Sequence, residues 1–487
     1  MASPAPIEHP APVDARSLRS QVLREQSWNV QVENSLSTYL EVVADAMQAV
    51  AAQRLRSERF EPEWAMPEMS SALESFFSAS ELRLSAMGEY SGARLHLLDL
   101  TRNPCTRTTK TFGSHVIVAR ALRHIETSRE PVLLFTPSSA NKAVALRDAV
   151  ARAYEVGLAT PETLRVATLV PKSSRAKLWS SRMSEDPELA LRNPVAIFEG
   201  SDRGEVKRIA AGAVSQAADR IHSTTGFRVW HTLDPDNYRV ADVVRACIEA
   251  AYFAPDIDAA ARTRWHVHAV SSAYGFLGHD LGREVLGRQG KVVSDTRYLF
   301  VQHLETPDLV LAVLGRGRLP RYEYDDVGSV FRQTEGDPHF PATCLAENER
   351  LERTFWTREP TTIGPVLELV ARQGGNGMVV SLEECLERYH QVRRMTATAD
   401  LRLAADPREL LEWALVMAVV GALNAIDRGL LAVPADVVIH ASGCYADADF
   451  DQLDRSACST VASVDDMALL LSIAAATGSA PLDASGA

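Results

Sequence analysis

Lysine is nearly missing from this chain. Of 51 Lys plus Arg in 487 residues, only Lys110, Lys142, Lys172, Lys177, Lys207 and Lys291 are lysines. A protein that takes almost all of its positive charge from arginine has little generic use for an amine. An amine, unlike a guanidinium, can lose its proton and attack a carbonyl. Cysteine is also scarce: the six residues at 105, 247, 344, 385, 444 and 458 form no CxxC pair. That argues against a zinc site or a disulfide framework and predicts a reducing, cytoplasmic setting. Net positive charge is absent, the formal balance being −12, which argues against nucleic acid and anionic membrane surfaces as partners. The start, Met1–Ala2–Ser3–Pro4–Ala5–Pro6, lacks the basic-then-apolar run of a signal peptide. The most apolar stretch, Leu410 to Ile426, is interrupted by Glu412 and Asn424. It is shorter than the roughly 20 residues of a membrane span and predicts a buried core helix.

What is present is the composition of a globular enzyme-sized protein, 46% hydrophobic and 23% charged. The length predicts two or more packed units. Residues 1–15 and 477–487 read as disordered tails, and residues 16–90 as a helical N-terminal extension. Within that extension Tyr39, Val42, Val43, Ala46, Met47 and Val50 recur at helical spacing on one face. Beyond it, strand-like runs alternate with helices. Leu95–Leu100 leads to a helix from Gly113, Pro131–Thr136 to Ala143–Tyr154, and Leu164–Val170 to a helix through Trp179. Val195–Phe198 then leads to a helix ending at Ala217, Trp265–Val270 to a helix carrying Gly282, and Asp436–Ile439 to a final turn. Such alternation predicts an α/β protein with parallel sheets and functional loops at the carboxyl ends of the strands.

Three of those loops have chemical content. Lys110 stands among hydroxyls and before a glycine in Thr106–Arg107–Thr108–Thr109–Lys110–Thr111–Phe112–Gly113. Ser138–Ser139–Ala140–Asn141 offers two hydroxyls, an amide and helix-start N–H groups, equipment for a carboxylate. Ser271–Ser272–Ala273–Tyr274–Gly275 is small, hydroxyl-bearing and placed before a helix, which suits a phosphate. Neither of the last two has the P-loop or GxGxxG pattern, so a nucleotide is not the expected ligand. Taken singly, each loop reads equally well as an ordinary helix cap.

In order and spacing the loops resemble the fold type II pyridoxal-phosphate enzymes of the tryptophan synthase beta superfamily, threonine synthase-like in particular. In that family's lysine motif a serine stands two residues before the lysine and a glycine three after; here Thr108, Lys110 and Gly113 hold those places. Its serine–serine–glycine–asparagine–histidine motif is met by Ser138, Ser139, Ala140, Asn141 and Lys142, with Asn141 following Lys110 by 31 residues. Val170–Lys177, the stretch from Gly226 to Arg239, Ser271–Gly278 and Ile439–Gly443 extend the likeness from about Leu95 to Tyr445. Alanine for glycine at 140, lysine for histidine at 142 and a tyrosine in the phosphate loop depart from it.

The resemblance implies two three-layer, parallel-sheet domains: a large cofactor-binding one over 91–113 and 226–476, and a small one over 114–225. It implies pyridoxal 5'-phosphate held covalently by Lys110, with Asn141 on its phenolic oxygen. Ser271, Ser272, Ala273, Tyr274 and Gly275 would cradle its phosphate, and Ser442 would face its pyridine nitrogen. Ser138, Ser139, Lys142 and Arg107 would bind an amino-acid substrate. A neutral hydroxyl at the ring nitrogen favours elimination or replacement at the beta or gamma carbon over transamination. A dehydratase or racemase on the same fold, and a non-catalytic protein that kept it, remain open alternatives, and the family implies a homodimer. His266 and His268 share one face of a strand, but with no carboxylate or cysteine close in sequence they read as a structural pair, and no metal ligand is assigned. Arg102 and Arg107 flank the lysine loop and offer a grip for a substrate phosphate or carboxylate, though surface ion pairs are the commoner fate of arginine, and Cys444 and Tyr445 read as packing residues.

Overall fold

The computed structural model describes residues 29–478 apart from 55–58, 201, 203, 255, 257–261, 292–293 and 356. The expected tail at 1–15, and all but two residues of the one at 477–487, lie outside the described residues. Fifteen strands are present among those described. The larger sheet holds β1 (Asn29–Val32), β2 (Leu82–Tyr90), β3 (Ala93–Asp99), β8 (Arg264–Ala269), β9 (Thr296–His303), β13 (Gly375–Val380) and β14 (Ala435–Ala441). Their spatial order is β1-β2-β3-β14-β8-β9-β13. From β3 to β13 every neighbouring pair is parallel, while β1 and β2 add an antiparallel edge. The smaller sheet holds β4 (Val132–Pro137), β5 (Leu164–Pro171), β6 (Val195–Phe198), β7 (Arg228–His231) and β15 (Cys458–Val461) in the order β15-β6-β5-β4-β7, all parallel. A three-stranded antiparallel insert, β10 (Tyr322–Asp325), β11 (Val330–Gln333) and β12 (Thr343–Cys344), stands apart.

The apolar runs explain the layers. Every residue of β4 and of β5 is buried, as expected for strands covered on both faces. Along β4, Val132 and Leu134 join a core with Leu146, Ala149 and Val150 of the helix Asn141–Glu155. Leu133 and Phe135 turn the other way, onto the helices Glu205–Thr225 and Val464–Ala476. The large sheet is layered likewise, with the helix Ala414–Asp427 against one face. That helix is the core helix expected from the apolar run, with all of 414–426 buried. It begins two residues after Glu412, which is thereby left to a separate role.

Three boundaries differ from expectation. The extension is not all helical: besides the helix Leu40–Gln53, whose buried face is the one expected, it contributes β1 and β2. β7, β15 and the last helix, placed by sequence in the large unit, belong to the small sheet. After β5 the chain makes a 3-10 segment, Lys172–Lys177, instead of a helix through Trp179. Four-residue strands give too short a pattern to distinguish, and β15 returns to a sheet the chain left more than two hundred residues earlier. No helix among the described residues is long and apolar enough to cross a membrane.

Candidate active site

Four loops from the carboxyl ends of parallel strands meet at one cavity of about 230 Å³, room for far more than a buried water. The loop after β3 brings Thr108, Thr109 and Lys110; the one after β4 brings Ser138, Ser139, Asn141 and Lys142. The loop after β8 brings Ser271, Ser272, Ala273, Tyr274 and Gly275, and the end of β14 brings Ser442. Every residue expected at the site is therefore gathered there except Arg107, whose guanidinium lies 3.2 Å from Asp449 and does not line the cavity. Arg102 is likewise turned aside, onto Glu81 at 2.9 Å. Both had been placed by chain proximity to Lys110, which a loop does not convert into direction.

Lys110 opens the helix Lys110–Ser128. Its loop is fixed to the end of β14: the Thr109 N–H donates to the Ser442 carbonyl at 2.8 Å, and the Thr108 hydroxyl donates to the same oxygen at 3.2 Å. The Lys110 amine lies 4.9 Å from the centre of the Tyr238 ring, a ring that fits only because residue 113 has no side chain (a Cβ there would stand 2.3 Å from Tyr238 Cδ1). Burial lowers the Lys110 pKa; Asp242 and Glu412 oppose the shift and Arg245 adds to it. Lys142 stands 5.4 Å from the same ring and donates to the Thr232 carbonyl. Burial and the charge of Lys110 bring its amine down to about 7.

Ser138 caps the next helix, its Oγ accepting the N–H groups of Ala140 at 3.1 Å and Ala143 at 3.0 Å. Ala140 sits at φ +110°, a region glycine enters freely and alanine does not, so the glycine of the family motif is replaced at the cost of local strain. Ala273, in the phosphate-like loop, is also left-handed at φ +54°.

The sequence reading missed a cation at that loop. Arg245 is fully buried and fixed on three sides, donating to Asp242 Oδ1, His440 Nδ1 and Thr109 Oγ1, each at 2.8 Å. Its guanidinium carbon lies 2.7 Å from where a Cβ of residue 275 would stand, so only glycine permits the approach. His268, also in the cavity wall, is buried with neither ring nitrogen partnered. Burial first, then the charges of Arg245 and Lys110, hold it well below its ordinary pKa. His266 does not act with it. His266 shares a hydrogen bond with His440 at 2.9 Å and lies 3.5 Å from Glu249, a carboxylate brought by the helix Val244–Phe253 that linear sequence could not place beside it. Glu249, His266 and His279 offer ligand atoms within 4.8 Å of one another. Glu249, however, already carries the Arg264 guanidinium, a charge that competes with any cation.

Asn141 is also differently engaged than expected. Its Nδ2 donates to Glu412 Oε2 at 2.8 Å, and its Oδ1 accepts from the Tyr445 hydroxyl at 2.6 Å, so Tyr445 does more than pack. Glu412 lines the cavity and shares the Lys177 ammonium, 2.8 Å from its Oε2, with Glu352. All three are out of solvent. Burial and the neighbouring Glu352 charge push Glu412 up to about 7, while Lys177 and backbone N–H donors outweigh burial and hold Glu352 down. Between the ordinary value of 4.5 and about 7, the folded state keeps a Glu412 proton that the unfolded chain has lost. This carboxyl therefore lowers stability as pH rises through that window. Glu352 acts in the opposite sense, its contribution present above 4.5 and lost as pH falls through its lowered value. Removing the shared cation strands both carboxylates: Lys177→Met is expected to cost about 3–5 kcal/mol, seen as an earlier urea midpoint at pH 8. An unchanged midpoint would show that the trio is not charged as drawn.

The segment following the β12 strand contributes Thr354, Phe355 and Thr357 to the cavity. Lysine scarcity was the signal that reached furthest. Of the six, Lys110, Lys142 and Lys207 line the cavity and Lys177 holds its carboxylate.

The model of a family of unknown function (DUF6002) matches residues 31–475. No curated protein matches the chain. Among solved structures the chain is similar to threonine synthase from Escherichia coli, at 13% identity over 91% of this chain and 84% of that one, with a TM-score of 0.49. It is similar to a pyridoxal 5'-phosphate-dependent aspartate racemase at 14% identity over 84% and 96%, TM-score 0.47. It is also similar to diaminopropionate ammonia lyase from Escherichia coli at 11% identity over 85% and 94%, TM-score 0.48.

Proposed function

The chain belongs to the DUF6002 family, a family of unknown function, and we propose that it is a pyridoxal-phosphate enzyme that eliminates or replaces a group on an amino-acid side chain. One observation carries this reading: Lys110, the Ser271–Gly275 turn and Ser442, far apart in sequence, line one cavity at the ends of parallel strands. The residues fit the group. An aldehyde needs an amine able to lose its proton, and burial favours that form of Lys110. A phosphate needs N–H donors and positive charge, and the turn opens the helix Tyr274–Arg288 beside the Arg245 guanidinium. The unpartnered nitrogens of His268 add further polar capacity to that wall.

When bound, the cofactor supplies the electron sink of the reaction. Lys110 then holds the cofactor and moves the alpha proton at its amine. Ser139 and the first turn of the helix Asn141–Glu155 bind the substrate carboxylate, and Lys142 and Lys207 add positive charge. Ser442 would be the residue that meets the ring nitrogen, and a neutral hydroxyl there would disfavour transamination. A homodimer is the assembly that goes with this reading. A second reading, a racemase or dehydratase on the same fold, has one observation in its favour: Lys142 is a second amine titrating near neutrality beside Lys110.

The purified chain, mixed with pyridoxal phosphate and dialysed, is expected to keep visible absorbance at one equivalent per chain. Amino acids and their O-phospho and O-acyl esters should then perturb that absorbance and yield ammonia, a keto acid or a substituted product. Inverted amino acid as the only product would favour the racemase, and colourless protein after dialysis would sink both readings.

A further inference from the structure

We propose that Glu412 is a catalytic acid–base residue of this cavity, giving a proton to the group that leaves the bound amino acid and recovering one from the group that enters. The proposal rests on the reading above for its substrate, though not for its first test.

The argument is a count of charges and donors. Glu352, Lys177 and Glu412 form a buried trio of two carboxyls and one ammonium. With both carboxyls ionised it carries an uncompensated negative charge out of water, so one of them keeps a proton near neutrality. The donors decide which. Glu352 accepts from Lys177, from the Thr354 N–H at 2.9 Å and hydroxyl at 2.8 Å, and from the Trp413 N–H at 2.8 Å. Glu412 accepts on Oε2 from Lys177 and from Asn141 at 2.8 Å each, and its remaining partner is the Tyr445 hydroxyl, whose own proton goes to Asn141. The proton therefore belongs to Glu412, on Oε1. That atom lies against the backbone of Gly443, 2.8 Å from where a Cβ would stand, beside Ser442 in the cavity wall.

The other groups facing Glu412 are the Tyr445 hydroxyl and, across the cavity, the amine of Lys110, whose own ionisation feels Glu412, Asp242 and Arg245. As the bond from carbon to the leaving atom breaks, its electron pair departs with that atom, which takes the Oε1 proton. The carboxylate left behind is held by Lys177 and Asn141. In a replacement, the entering nucleophile gives its proton back to Glu412 as it bonds to carbon, so the residue ends as it began and no further reactant is consumed. Lys177 and Glu352 touch no substrate in this scheme and are positioning residues that set the proton affinity of Glu412.

The first test uses the full chain without added cofactor. Infrared difference spectra across pH 5 to 9 should show a carboxylic-acid carbonyl band lost with a midpoint near 7. The band should be absent in Glu412→Gln. In Glu352→Gln, where the competing anion is gone, its midpoint should fall by about one pH unit or more. A band that survives Glu412→Gln, or none titrating in that range, overturns the proposal. The second test is turnover of the cofactor-loaded chain. Glu412→Gln should lower kcat by about 10²-fold or more with the bound cofactor's absorbance retained, and the alkaline limb of the parent profile should move to lower pH in Glu352→Gln. Full turnover in Glu412→Gln overturns the catalytic role even if the band titrates. If the chain holds no pyridoxal phosphate but the band behaves as stated, the function proposed above fails and the proton-holding carboxyl stands.

Discussion

Lys110→Ala should lose all covalent cofactor attachment, while Lys142→Ala should keep it. The contrast is demanding because the two amines are near neighbours, both facing the Tyr238 ring, and Lys142 is brought down to about 7. A free amine alone would not choose between them. Position does. Lys110 follows a backbone stitched to Ser442 by the Thr109 N–H, so its reach to the end of β14 is fixed. Lys142 projects from the smaller sheet's loop, and its Nζ is tied to the Thr232 carbonyl. Borohydride reduction of the loaded chain, followed by peptide mass mapping, should place the added mass on the peptide containing Lys110. In Lys110→Ala it should fall to background, and in Lys142→Ala it should remain. Label on the Lys142 peptide in the parent chain would reverse the assignment and with it the orientation of every group in the cavity.

How much of this was legible in the sequence depends on whether a residue's role is set locally. The strand–turn–helix units are local, since a continuous apolar run such as 132–136 followed by Ser-Ser-Ala-Asn fixes both a buried strand and a capped helix start. The loops could therefore be placed at the strand ends, and four of them were found together. Arg107 and Arg102 show the limit: being next to the lysine in sequence says nothing about which way a side chain turns, and both turned to carboxylates outside the cavity. The carboxylate cluster shows it more strongly. Lys177 meets Glu412 across 235 positions and Glu352 across 175, and no periodicity records such a meeting. Arg245, in the first turn of the helix Val244–Phe253, gave no hint that it would be buried against a glycine thirty residues on. The scarcity of lysine did carry over long range, because a residue type avoided on the surface is kept where its amine is used.

Gly275→Ala should weaken cofactor and inorganic phosphate binding far more than Tyr274→Phe, although the second change removes a polar group and the first adds only a methyl. The Tyr274 hydroxyl is already engaged by Thr361, so Tyr274→Phe loses one hydrogen bond, about 0.5–1.5 kcal/mol of stability, and little affinity. A methyl on residue 275 would stand 2.7 Å from the Arg245 guanidinium carbon. Arg245 cannot yield cheaply, because Asp242, His440 and Thr109 hold it in one orientation. Either the guanidinium leaves those partners or the turn opens, at a cost of about 1–3 kcal/mol, and in both cases cation and N–H groups no longer converge on one phosphate. Mutual dependence can be separated from general damage by adding Arg245→Ala. If Gly275→Ala acts by displacing the guanidinium, it should cost little further affinity once Arg245 is gone, so the two changes should fall well short of additive. Titration of each variant with pyridoxal phosphate, with the unliganded thermal midpoints recorded alongside, reads out both effects. Additive losses, or an affinity in Gly275→Ala equal to that of the parent chain, would place the phosphate away from this turn and leave Arg245 as a structural cation alone.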